Sequence, residues 1–160
     1  MSEESTLAVE AGELLVAQGA TICTAESCTG GLIASLLTDV AGSSRYVRGG
    51  IVAYENAIKE SLLGVNTQTL LDYGAVSEQT AREMAEGARA RLETDYALSV
   101  TGIAGPGGGT DTKPVGLTFI GLAIPTGDTL VQRFVWEGNR QHNKRASADA
   151  ALKMLIEYLR

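Results

Sequence analysis

The chain has 160 residues, 44% of them hydrophobic and 20% charged, the profile of an ordinary soluble globular protein long enough to bury one core. Its formal net charge of −6 argues against a protein that wraps nucleic acid, which needs a basic face. No segment approaches the roughly 20 apolar residues that span a bilayer, so no membrane partner is expected.

The acidic start, MSEESTLAVEAGELL, has neither the basic residues nor the apolar run of a secretory signal, which points to the cytoplasm. From Leu7 to Gln18 apolar residues recur at helical spacing, and Gly19 ends the run. Ala20 to Ala25 reads as a short buried strand, Gly31 to Val40 as an apolar helix stopping at Gly42, and Gly50 to Tyr54 as a second strand. Asn56 to Leu63 is helical with Gly64 as its stop, and a shorter helix is expected near Gln68 to Tyr73. Ser77 then caps a long helix ending near Glu93, its outer face charged by Arg82, Glu83, Glu86, Arg89 and Arg91.

Tyr96 to Thr101 is another buried strand, followed by a glycine-rich loop. Val115 to Ile124 and Thr129 to Trp136 are strands joined by Pro125-Thr126-Gly127-Asp128, a hairpin signal. A last helix runs from about Arg140 to Tyr158. Strands alternating with helices predict a single α/β domain over residues 1–160, a three-layer α/β/α sandwich with a mixed, mostly parallel sheet and a C-terminal antiparallel hairpin. Ligands of such sheets sit at the carboxyl ends of the parallel strands, which selects the loops after Ala25, Tyr54 and Thr101.

The first of these is TAESCTGG, Thr24 to Gly31. Ser27 stands at a strand-to-helix turn, where free N–H groups can hold an oxyanion or a phosphate and Gly30 and Gly31 leave room for it. A plain helix cap by Ser27 or Thr29 accounts for the same residues. A nucleophilic serine needs a base, and the usual one is histidine. The only histidine, His142, sits in the polar run NRQHNKR and reads as a solvated surface residue.

Of the four lysines, Lys59 is best placed, one helical turn beyond the strand that ends at Tyr54; Lys113, Lys144 and Lys153 lie elsewhere. Desolvation would allow its neutral amine to accept a proton. Tyr54 and Lys59 equally fit a half-buried aromatic and a solvated helix lysine. Cys23 and Cys28 read as reduced thiols, with Cys28 a second candidate nucleophile. With one distant histidine they make a poor zinc site, and no metal is expected. The loop in SVTGIAGPGGGTDTKPVG, Ser99 to Gly116, has more glycine than a connection needs and suits an anion or a mobile lid. In EGNRQHNKRAS, Arg140, Lys144 and Arg145 stand at a helix start, against its dipole, which an anionic partner would explain.

Together TAESCTGG, GGIVAYENAIKESLLGV, YGAVSEQTAREMA, SVTGIAGPGGGTDTKPVG and the EGNR turn resemble the nicotinamide-nucleotide amidohydrolase family (NMN deamidase, PncC), the stand-alone form of the C-terminal domain of the competence and damage-inducible protein CinA. The resemblance runs from about Leu7 to the C-terminus. It implies hydrolysis of the carboxamide of nicotinamide mononucleotide to nicotinic acid mononucleotide and ammonia, a step of pyridine nucleotide salvage, with no cofactor. It also implies Ser27 as nucleophile, Lys59 as general base and Tyr54 as its assistant. Substrate binding would fall to Cys28, Thr29, Gly30 and Gly31 of the first motif, to Thr101, Gly102 and Gly105 of the loop, and to Arg140, with Arg145 the competitor for the phosphate. The nucleotide-processing domain that precedes this module in longer CinA proteins has no counterpart in the sequence, so no pyrophosphatase activity is expected of it. An apolar helix face or the edge of the hairpin would serve a homo-oligomer.

Overall fold

A computed structural model describes residues 3–160; residues 1 and 2, at the start of the expected domain, lie outside the described residues. The elements run in the order α1 (Glu3–Gln18), β1 (Ile22–Glu26), α2 (Leu32–Thr38), a 3-10 turn (Ser43–Arg45), β2 (Val47–Val52), α3 (Asn56–Leu63), α4 (Thr67–Tyr73), α5 (Glu78–Leu92), β3 (Tyr96–Gly102), β4 (Leu117–Ala123), β5 (Thr129–Val135) and α6 (Arg140–Leu159). No described helix is long and apolar enough to cross a membrane.

The five strands form one mixed sheet in the order β2-β1-β3-β4-β5. β1 pairs in parallel with β2 and β3, whereas β4 is antiparallel to both β3 and β5. Only β4 therefore runs against the other four strands. Helices α1, α2 and α6 cover one face and α3, α4 and α5 the other, the expected three layers. β1 and β3 lie at the centre and are buried almost throughout, which is why they read as unbroken apolar runs rather than alternating ones.

Their side chains nevertheless alternate between the two cores. Ile22, Leu98 and Val100 join Leu15, Ile33 and Leu152 on the α6 side, while Cys23, Ala25 and Ala97 join Leu63, Met84 and Ala88 on the α5 side. The second core is narrow. An added Cβ at Gly87 of α5 would stand 1.7 Å from the carbonyl oxygen of Leu63, so glycine there lets α5 lie directly against the end of α3.

Three readings shift. β2 spans Val47–Val52, not Gly50–Tyr54; its Gly49–Gly50 pair masks a strand that parallel pairing with β1 supports from Val47 to Val52. Tyr54 consequently lies beyond the strand, on the connection to α3. The second helix is shorter than expected, because Gly31 has φ 102° and so stands outside the helix as its N-cap.

The charged face of α5 is also more than solvated surface. Arg82 donates to the Thr129 carbonyl and Arg89 to those of Asp95 and Pro125, while Glu83 accepts from the Asn66 amide and the Thr69 hydroxyl at the start of α4. These bonds fasten the short α4, which buries no residue. The connection from α4 to α5 is thereby held beside the carboxyl ends of β1 and β3.

Candidate active site

Directly after Glu26, the last strand-paired residue of β1, the chain turns sharply at Ser27. The Ser27 amide continues the sheet by donating to the Val100 carbonyl, 2.9 Å, and the Ser27 carbonyl receives the Gly30 amide, 3.1 Å. Gly30 and Gly31 take φ values of 63° and 102°, a backbone that side-chain-bearing residues rarely adopt. The serine is thus fixed by the backbone of β1 on one side and a glycine turn on the other. Its side chain is buried at 7% exposure.

The residue before it decides the electrostatics of the turn. Glu26 is 1% exposed. One of its carboxylate oxygens accepts the Thr29 hydroxyl at 2.6 Å and the Ile33 amide at 2.8 Å, and the other accepts the Ala34 amide at 3.0 Å. A buried carboxylate satisfies the first amides of α2 from inside the protein. The start of α2 is therefore already filled with negative charge, and Thr29 is a ligand of Glu26. The amides of Cys28 and Thr29 make no backbone hydrogen bond among the described residues.

Lys59 reaches the same point from α3. It is 1% exposed, and its Nζ lies 3.1 Å from Ser27 Oγ while donating to the Tyr54 carbonyl at 3.0 Å. It forms no ion pair among the described residues. Burial holds its amine below the usual lysine range, although the neighbouring Cys28 thiol acts in the opposite sense. A desolvated amine against a serine hydroxyl, with no carboxylate to keep it charged, has the makings of a base and nucleophile. Cys28 is buried, and desolvation raises its thiol to about 11, so it carries little thiolate at neutral pH. Both cysteines are free thiols.

Around this pair lies a cavity of about 200 Å³ whose wall includes Tyr54, Asn56, Val76, Thr101 and Arg140. Tyr54 contributes in two ways. Its carbonyl holds Lys59, whereas its hydroxyl, on a side chain 62% exposed, accepts from the Arg140 guanidinium at 2.9 Å. A second Arg140 nitrogen donates to the Gly105 carbonyl at 2.8 Å. Arg140 thus crosses the cavity rim, and Asn143 on the next turn fixes that end of α6 by donating to the Ala104 carbonyl at 3.0 Å.

The glycine-rich segment plays a smaller part. Gly102 lines the cavity. Thr101 lines it too, but its hydroxyl is committed to the Ala75 carbonyl at 2.7 Å. Residues 106–112 are exposed, and Lys113 bonds the Tyr73 carbonyl at the end of α4. His142 is exposed, as its polar run suggested. Arg145 opens onto a separate groove between β5 and α6, with Trp136 and Lys153. Among the described residues no group of three or more His, Cys, Asp or Glu is placed to hold a metal.

The roles of Glu26, Asn56, Val76 and Asn143 were not visible in the sequence. Only Glu26 had a signal, a carboxylate directly before the turn that leads through Gly30 and Gly31 into a helix.

The whole of this arrangement falls inside one match: residues 4–159 correspond to the CinA C-terminal domain. The chain belongs to that family. A CinA-like protein of Rippkaea orientalis is 51% identical over 156 residues, which cover 96% of this chain and 38% of that protein. The chain thus spans under two-fifths of the length of the curated relatives it matches. Among solved structures, the competence/damage inducible protein CihA from Agrobacterium tumefaciens is 43% identical with a TM-score of 0.97, covering 100% of this chain and 98% of that one. The competence damage-inducible protein A from Klebsiella pneumoniae is 33% identical with a TM-score of 0.95, over 99% and 98% of the two chains. The family and its fold are therefore those that the motifs implied.

Proposed function

We propose that this CinA-family domain is an amidohydrolase that cleaves the carboxamide of nicotinamide mononucleotide, releasing ammonia. The observation that supports it most is the Lys59 Nζ to Ser27 Oγ contact of 3.1 Å inside a wall that keeps the lysine 1% exposed. A merely structural serine cap does not call for a buried lysine with no counter-charge, an arrangement costly to maintain.

In the proposed reaction the neutral amine of Lys59 takes the Ser27 proton as Oγ attacks the amide carbon. The tetrahedral oxyanion is received by the amides of Cys28 and Thr29. The lysinium then protonates the departing nitrogen, ammonia leaves, and an acyl-serine remains. Water, deprotonated by the restored amine, adds to the ester carbonyl, and collapse of that intermediate returns the proton to Ser27 and frees nicotinic acid mononucleotide. The Tyr54 carbonyl keeps the amine aimed at Oγ throughout. Its hydroxyl, tied to Arg140, belongs to the rim and not to the proton path.

Ammonia release from nicotinamide mononucleotide by wild type and Ser27→Ala tests this directly. Release by wild type, falling by roughly 10⁴-fold or more in the variant, is the expected result. Release by both moves the nucleophile elsewhere. Release by neither, with the nucleotide still bound, leaves a pyridine-nucleotide-binding module instead.

A further inference from the structure

The cavity around Ser27 measures about 200 Å³, below the roughly 300–1,000 Å³ of ordinary small-molecule sites. On the amidase reading, on which the following rests, it takes the carboxamide end of the nucleotide and leaves the 5′-phosphate at the rim. The question is which groups receive that dianion. The start of α2, the obvious candidate in the sequence, is occupied by the Glu26 carboxylate, which would repel a phosphate. The exposed glycine-rich loop brings one cation, Lys113, and it is bonded to the Tyr73 carbonyl. Arg145 and Lys153 face the groove along β5.

Lys144 remains. It stands one helical turn after Arg140 on α6, a spacing that puts both side chains on one face. Its Nζ lies 3.8 Å from where a Cβ on Gly30 would be, directly over the turn that carries Ser27. It also acts electrostatically on Cys28 within that turn. It donates no hydrogen bond and forms no ion pair among the described residues. The neighbouring Arg140, by contrast, already holds the Gly105 carbonyl and the Tyr54 hydroxyl.

We infer that Lys144 is the specificity-determining cation of the site. Its ammonium, beside Arg140 and above Gly30, receives the substrate's phosphate and so separates the nucleotide from its phosphate-free nucleoside. Gly30, having no side chain, leaves the space between the ammonium and the nucleophile's turn open. Recognition at this distance from the reacting amide is felt equally in ground and transition states, so it appears in KM and not in kcat.

Steady-state ammonia release from nicotinamide mononucleotide and from nicotinamide riboside, by wild type, Lys144→Ala and Lys144→Arg, tests the assignment. The expected result is a KM for the mononucleotide raised roughly tenfold or more in Lys144→Ala, kcat unchanged, riboside kinetics unchanged, and recovery in Lys144→Arg. An unchanged KM for the mononucleotide, or an equal rise for both substrates, overturns it. If wild type releases no ammonia from either compound, the amidase reading fails separately, and calorimetric titration with the mononucleotide decides Lys144. Weaker binding in Lys144→Ala with riboside binding unaffected then supports the assignment; equal affinity of wild type and variant, or no binding by wild type, overturns it.

Discussion

A lysine buried without a counter-charge has two measurable signatures, and Lys59 should display both. Burial lowers the pKa of its amine from the ordinary value of 10.5. If the neutral form is the base, kcat/KM rises with pH as Lys59 loses its proton and levels off before that ordinary value is reached. Stability moves in the same direction. The unfolded chain holds this proton more tightly than the folded one, so the penalty is full below the folded pKa and vanishes above the unfolded one. Lys59→Met keeps the length and removes the charge. We expect it to release no ammonia, to melt higher than wild type at pH 7, and to gain less stability than wild type between pH 7 and 10. A variant that melts lower would show that the bonds to Ser27 and Tyr54 outweigh the cost of desolvation.

At the level of elements, Lys59 is only as well placed as α3, and α3 is set by its contact with α5. Gly87→Ala would drive a methyl into the Leu63 carbonyl, 1.7 Å from the ideal Cβ, one turn from Lys59. Overpacking of this kind costs about 1–3 kcal/mol, and urea unfolding should show a loss of that order. On the proposed amidase reading ammonia release should fall with it, because the helices separate one turn from Lys59. Gly107→Ala is the control: nothing lies within 4 Å of its Cβ, so stability should stay within about 0.5 kcal/mol of wild type.

The same elements show what could be read in advance. Lys59 is legible in the sequence because a helix beginning just past a strand end points its first turn back at that end, which is local geometry. Tyr54 is expected beside Lys59 as its assistant by the resemblance alone, and the contact is made by its carbonyl, which spacing does not specify. The Tyr54–Arg140 bond joins residues 86 apart in sequence and exists only because the sheet brings the end of β2 near the start of α6. The role of Glu26 is not legible locally, because a carboxylate inside a buried strand is explained only by the helix that folds back over it.

For the molecule as a whole, the central strands feed both cores and the site at once, so the layers should not come apart separately. The single tryptophan, Trp136, stacks on Phe134 with centroids 4.9 Å apart and donates to Ser147 of α6 at 2.9 Å. Its fluorescence therefore reports the junction of sheet and α6, at the opposite edge of the sheet from β2. We expect its urea transition to coincide with that of far-UV circular dichroism. An earlier fluorescence transition would mean that the β5 edge opens while the rest of the fold, with its Ser27–Lys59 contact, survives.

One residue ties these scales together. The main chain of Tyr54 holds the lysine and its side chain holds the arginine at the rim. Every amino acid has the carbonyl, so substitution at this position leaves the hold on Lys59 formally intact while the rim is released. On the proposed amidase reading, a change at this position retunes which molecules are admitted while the aim of Lys59 at Ser27, held by backbone, stays as it was.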